Sequence, residues 1–248
     1  MSERREYALY DLTWEDAGEA IEEADFVALP CGSIEQHSTH LPVSVDSIRA
    51  EELTRELAEA APEYDLSILA LPTLPYGYSE HHMNFPGTIT LQPDTYRQVI
   101  VEIGACLADH GAERLLLVNC HGGNRPPLKL AVDRLQRDHD LPTHFVHWTD
   151  HAREALKEAF GEGWGHAGDH ETSVVELFAP HLVREDRKEP QDTNDGDETR
   201  PYTYFDEITE QGGLGDPTNS DPEIMGRIVE EATEGILESL RADLKAER

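Results

Sequence analysis

Apolar residues fall into short continuous runs, separated by longer stretches in which they recur every three or four positions. Phe26 to Cys31, Leu66 to Leu71, Leu115 to Asn119 and Thr143 to Trp148 are each short enough to be buried strands. Glu51 to Ala61, Pro93 to His110 and Arg125 to His139 carry the helical period. Pro93 stands in the first turn of its helix, where a missing N–H costs nothing. The Arg125 helix gathers Leu128, Val132 and Leu135 on one face. Glu171 to Phe178 opens a further helix, and Ile224 to Ala246 reads as a long C-terminal one. Alternating strands and helices predict an α/β fold with a mostly parallel sheet covered on both faces. Such sheets bind ligands beyond the carboxyl ends of their strands. The polar motifs of this chain sit there, after Cys31, after Leu71 and after Asn119.

A length of 248 residues suits one large domain, with enough chain to bury a core without staples. Charge changes the picture more than length does. The formal net charge is −31, and arginine outnumbers lysine by 16 to 4. A field of that sign repels nucleic acid and anionic lipid. The excess of carboxylate over lysine resembles proteins of salt-loving microbes, a haloarchaeal composition in which concentrated salt screens the self-repulsion. No apolar run approaches the length of a membrane span, and the charged start of the chain lacks a signal-peptide pattern. Cys31, Cys106 and Cys120 are odd in number and form no CxxC pair, which predicts a reducing, cytoplasmic setting. Residues 184–200 are charged and nearly devoid of apolar positions; they read as a solvated loop or as a lid.

Four constellations carry candidate chemistry. In Gly32-Ser33-Ile34-Glu35-Gln36-His37, an extended backbone points Glu35 and His37 to one side, and Asp46 can fold back across the Pro42 turn. Two carboxylates and an imidazole form a mixed N/O ligand set for Zn²⁺, Mn²⁺ or Fe²⁺; the bland alternative is surface charge with one stray histidine. Asn119-Cys120-His121-Gly122-Gly123-Asn124 closes the best strand and opens a helix. It is either a site where backbone approaches a ligand closely, with His121 as ligand or acid/base, or a glycine turn. His166-Ala167-Gly168-Asp169-His170-Glu171 offers a proton shuttle and a metal ligand, while Asp169 and Glu171 also suit a helix N-terminus. Gly77 to Thr88 mixes aromatic, hydroxyl and imidazole groups on a loop that could wall a substrate, with Phe85-Pro86-Gly87 packed. GxSxG, GxxxxGK[ST] and HExxH are all absent from the sequence, which removes the serine-hydrolase elbow, the P-loop and the zincin helix. Cys120 beside His121 reads as an inert buried thiol rather than a nucleophile.

In this order, the motifs resemble the creatininase family, the creatinine amidohydrolases and their relatives. The matching residues are Gly32 to His37 with Leu41-Pro42 and Asp46, Gly77-Tyr78-Ser79 through Phe85-Pro86-Gly87-Thr88, His121 to Asn124, His166-Ala167-Gly168 with Glu171-Thr172-Ser173, and the late Gly212-to-Pro217 turn. They run from about residue 20 to about residue 240, nearly the whole chain. The resemblance implies a single domain over 1–248, built as a three-layer α/β/α sandwich around a two-metal site. On the family pattern Glu35 and His121 hold one divalent ion (zinc, manganese or iron), His37 holds the second, and Asp46 bridges both. Glu171 completes the second position, and His166 takes the place of a catalytic histidine. Ser79, Gly122 and Gly123 would orient a small-molecule amide; Arg125 would meet a phosphate if the substrate carries one, or else form a salt bridge on the helix surface. Homo-oligomers, commonly hexamers, are implied too.

One departure bears on the substrate. Creatinine-hydrolysing members carry a metal-binding Glu two residues after the histidine that matches His121, and here that position is Gly123. The implied activity is metal-dependent hydrolysis of a non-peptide C–N bond, as in creatinine. The alternatives within the family are deformylation of a formamidopyrimidine nucleotide in archaeal flavin and deazaflavin biosynthesis, and peptide maturation by a two-metal peptidase. A metal-binding protein without turnover is the remaining reading.

Overall fold

The chain was analysed as a computed structural model that describes residues 7–161, 165–191 and 203–247. Four strands, β1 (Phe26–Cys31), β2 (Ile68–Ala70), β3 (Leu115–Asn119) and β4 (Thr143–His147), form one sheet in the order β2-β1-β3-β4. Every neighbouring pair is parallel, with Cys31 level with Asn119 and Asn119 level with His147. The predicted limits of β1 and β3 match the structure, while β4 stops one residue short because Trp148 begins a helix.

Helices cover both faces, giving the α/β/α sandwich. Alternate residues of the central strands divide two cores. Phe26, Ala28, Leu116 and Val118 face one core, and Val27, Leu29, Leu115 and Leu117 face the other. The first is closed by α2 (Val45–Ala60), α5 (Trp148–Phe160), α6 (Asp169–Phe178) and α7 (Pro222–Glu247). The second is closed by α1 (Trp14–Glu23), α3 (Pro93–Asp109) and α4 (Arg125–His139). On α7, Met225, Ile228, Val229, Ala232, Ile236, Leu240 and Leu244 recur at three- and four-residue spacing and line the core.

Other elements depart further from the sequence reading, and β2 is only Ile68–Ala70 where Leu66 to Leu71 was expected. Helix α2 begins at Val45, six residues earlier than the apolar period shows, so Asp46 and Arg49 lie in its first turns. Helices α1 and α5 were not expected, although each has an amphipathic pattern. The Phe85-Pro86-Gly87 stretch is not packed as expected: Phe85 is half-buried, and Pro86 and Gly87 are exposed. Of the 184–200 segment, residues 184–191 carry a short turn at Glu185–Arg187, and Lys188 is tied to Glu176. Residues 192–200, where a lid would extend, lie outside the described residues. No helix among the described residues is long and apolar enough to cross a membrane.

The charge of −31 gives the fold a direct salt dependence. Raising KCl from about 0.1 M to about 1 M shortens the Debye length from about 10 Å to about 3 Å. Thermal denaturation is expected to shift upward by about 5 °C or more across that range. An unchanged Tm would show that carboxylate repulsion is no significant burden on this fold.

Candidate metal centre

The carboxyl ends of β1 and β3, the start of α2 and the approach to α6 converge on one cleft of about 450 Å³. Glu35, Asp46, His121, His166, Glu171, Gly122, Gly123 and Arg125 line it, and His37 packs its ring against His166 at 4.3 Å between centroids. Gly32 lets the loop after β1 turn inward, because a Cβ there would stand 2.6 Å from the Ser47 backbone. Asn124 ties the loops together: its amide donates to the Gly32 carbonyl at 2.9 Å, and its oxygen accepts from the Tyr78 N–H at 2.9 Å.

Three imidazoles are oriented alike. His121 Nε2 donates to the Tyr78 carbonyl at 2.9 Å, so Nδ1 faces Asp46 Oδ2 at 3.2 Å and Glu35 Oε2 at 3.3 Å. His37 Nδ1 donates to the Glu35 carbonyl at 3.2 Å, leaving Nε2 3.5 Å from Glu171 Oε2 and 3.8 Å from Asp46 Oδ1. His166 Nε2 donates to the Gln36 carbonyl at 2.6 Å, and Nδ1 lies 3.7 Å from Glu171 Oε2 and 3.8 Å from Glu35 Oε1. In each ring one nitrogen is held by a carbonyl and the other is aimed at carboxylates. That is the arrangement usual for a metal-ligating histidine.

Electrostatics point the same way. Glu35, Asp46 and Glu171 are buried carboxylates, and Arg49 is the buried guanidinium among them. Burial by itself would raise Glu35, but the His121 and His82 imidazoles outweigh it and hold the carboxyl well below the usual range. Burial likewise works against Glu171, and His37 and Arg49 bring it well below that range. Burial pushes His121 down, yet Glu35 and Asp46 pull it well above an ordinary imidazole. His166 is lowered by burial and by His37, which keeps its ring neutral near pH 7. A buried group with surplus negative charge calls for a cation. His37 Nε2 and Asp46 Oδ2 are buried and lack a hydrogen-bond partner among the described residues. Among the described residues, four sets of three ligand atoms lie close enough to share an ion: Glu35-His37-Asp46, His37-His166-Glu171, Glu35-His82-His166 and Glu35-His81-His121. The residues present therefore fit a divalent-metal centre of mixed N/O donors.

Of the remaining expected residues, Gly122 and Gly123 line the cleft beside His121. Arg125 reaches the rim, where it pairs with Asp150 of α5. Ser79 is fully buried behind His121: its Oγ lies 2.5 Å from Ser33 Oγ and 3.3 Å from His121 Nε2. That places it beneath the donors instead of on the cleft wall. Asp169 stays at the start of α6, accepting from the His170 N–H, and leaves the site imidazoles to Gln36 and the carbonyls. Cys120 is buried, and burial pushes its thiol up to about 12, as an inert cysteine requires.

Sequence reasoning missed four contributors. Arg49 donates to Asp46 Oδ1 at 2.6 Å, to Glu171 Oε1 at 3.0 Å and to the Cys120 carbonyl, and its guanidinium lies 5.2 Å from the Trp148 ring centre. It holds one oxygen of each carboxylate and leaves Asp46 Oδ2 and Glu171 Oε2 turned to the imidazoles. Gln36 sits between two site residues in sequence. Its amide donates to His82 Nδ1 at 2.8 Å and to the Gly212 carbonyl at 3.0 Å. His82 Nε2 then faces Glu35 Oε1 at 3.4 Å. His81 lines the cleft next to His121. The available signal for Arg49 was its i+3 spacing from Asp46, which puts both on one helix face.

An Arg49→Lys substitution tests this grip. A lysine cannot reach three acceptors with a planar fork. The metal-free protein is expected to lose about 1–3 kcal/mol of stability by denaturant titration. Wild-type stability in the Lys variant would show that the guanidinium fork is dispensable.

A parallel α/β/α sandwich bearing a histidine–carboxylate metal centre at its strand ends defines the class of protein. Comparison with known proteins gives the family. A family profile described as "Creatininase: Creatinine amidohydrolase" matches residues 10–240, and the chain belongs to the creatininase family. A mycofactocin precursor peptide peptidase of Mycobacterium ulcerans (strain Agy99) is 34% identical over 170 residues. That match covers 65% of this chain and 61% of the relative, less than two thirds of its length. A creatinine amidohydrolase of Pseudomonas putida is 29% identical, covering 71% of this chain and 74% of its own. The solved structure titled "Creatininase Mn" superimposes with a TM-score of 0.84 at 25% identity, covering 96% of this chain and 99% of that one.

Proposed function

We propose that the chain is a metal-dependent hydrolase that cleaves a C–N bond of a small amide outside a peptide backbone. The observation that carries this reading is the convergence of Glu35, His37, Asp46, His121, His166 and Glu171 on one cleft, with their free donor atoms facing inward. Glu35, Asp46 and His121 would hold one divalent ion, and His37, Glu171 and Asp46 a second, with Asp46 shared. Zinc, manganese and iron all suit these donors. When bound, such ions acidify water and polarise an amide carbonyl.

The chain's own residues supply the rest. His166 offers Nδ1 as the accepting atom, because Nε2 is committed to the Gln36 carbonyl. It takes a proton from the attacking water and returns it to the departing nitrogen, which leaves poorly unless protonated. Gln36 holds the His166 ring in place through its backbone carbonyl and steadies His82 through its side chain. Gly122 and Gly123 border the cleft beside His121, where the amide would lie. Arg125 at the rim would meet an anionic substituent of the substrate.

A second reading, cleavage of a peptide C–N bond, is favoured by the 34% identity to the mycofactocin precursor peptide peptidase. The two are separated by assaying the metal-loaded protein on creatinine, a formamidopyrimidine nucleotide and short peptides. Turnover of creatinine or the formamide supports the first reading. Turnover of peptides alone replaces it with the second. No turnover of any class, with metal bound, contradicts both and leaves a metal-binding protein.

A further inference from the structure

Gly123 cannot carry a side chain into the centre. A Cβ there would collide with the Tyr78 carbonyl oxygen, stand 2.5 Å from His121 Nε2 and lie 3.1 Å from His81 Cε1. The glycine turn is therefore pressed against the Tyr78–His82 segment, and the space beside it is filled by the His81 imidazole. That ring comes from a different element, the short turn Glu80–His82. It lies parallel to the His121 ring, with 6° between the planes and 5.8 Å between centroids. One ring nitrogen of His81, one of His121 and a carboxylate oxygen of Glu35 all lie within 4.8 Å of one another. His81 also borders the cleft.

His81 differs from the imidazoles around it. His37, His121 and His166 each commit one nitrogen to a backbone carbonyl, and His82 commits Nδ1 to the Gln36 amide. His82 then presents its remaining nitrogen to Glu35 Oε1, the position of a residue that orients a carboxylate. His81 stands beside the same carboxylate, stacked alongside His121.

We propose that His81 is a direct ligand, with Glu35 and His121, of the divalent ion on that side of the centre. The inference rests on the metal-dependent reading above and adds to it the nature of this position. With the shared Asp46, two imidazoles and two carboxylates make it a mixed N/O donor set, which suits Zn²⁺ or Co²⁺ better than an all-oxygen ion such as Mg²⁺. The imidazole supplies from the 77–88 loop a donor that position 123 cannot supply.

Co²⁺ titration of metal-free wild type, His81→Ala and His81→Asn tests this, read by visible absorption and by affinity against a competing chelator. Circular dichroism and Tm of the metal-free proteins check folding, and two variants guard against one that misfolds. In both variants, affinity for one Co²⁺ equivalent is expected to fall at least about 10-fold, with altered d–d bands. The other equivalent keeps its wild-type affinity. Folded variants with wild-type stoichiometry, affinity and spectrum would overturn the His81 assignment alone. Failure of the wild type to bind Co²⁺ would overturn the metal-dependent reading and this assignment with it.

Discussion

Replacing Asp46 by Ala is expected to leave the chain without tightly held divalent metal and to lower hydrolysis by at least about 10³-fold. The reason is geometric. Asp46 faces both halves of the centre, with Oδ2 3.2 Å from His121 Nδ1 and Oδ1 3.8 Å from His37 Nε2. Loss of a shared ligand removes charge from both positions at once. Metal-assisted charge stabilisation is worth several kcal/mol, and each 1.36 kcal/mol is tenfold in rate. Arg49 keeps its contacts to Glu171 and to the Cys120 carbonyl, so the helix start retains anchors in the variant. Metal analysis after desalting, beside circular dichroism, checks the outcome. A folded Asp46→Ala protein that retains two equivalents would show that Asp46 bridges nothing.

His166→Ala should divide the two functions of the centre. Its Nδ1 faces the gap between Glu35 and Glu171, and its ring is kept neutral by burial and by His37. A proton carrier at that place contributes about 10²–10⁴-fold. The variant is therefore expected to keep its metal and lose turnover by that factor. Because Nδ1 also lies within the His37–Glu171 set, metal analysis is the deciding readout. Loss of an equivalent together with activity would make His166 a ligand instead of a proton carrier. Full activity would remove it from the chemistry.

The sheet was legible in the sequence because parallel strands buried on both faces are continuous apolar runs, and Phe26–Cys31 and Leu115–Asn119 are bounded by polar turns on the ligand side. The expected donors Glu35, His37, Asp46, His121, His166 and Glu171 do come together at those strand ends. Arg49 was not legible, since an arginine within a charged amphipathic helix reads as solvated until the helix start at Val45 is known. Helix α5 was missed although its period is present: Trp148, Ala152 and Leu156 recur every four residues on its buried face, and the apolar run of β4 passes into it without a break. His81 and Gln36 meet neighbours distant in sequence, Gly123 and Gly212, and no local spacing reveals such pairs.

The most direct test of the metal centre is the metal content per chain of wild-type protein purified in high salt without chelator, then reloaded separately with Zn²⁺, Mn²⁺ and Fe²⁺. About two equivalents per chain, with amide hydrolysis restored by at least one of the ions, is the expected result. A chain that binds none of the three ions, before or after reloading, would contradict the centre assigned to Glu35, His37, Asp46, His121 and Glu171.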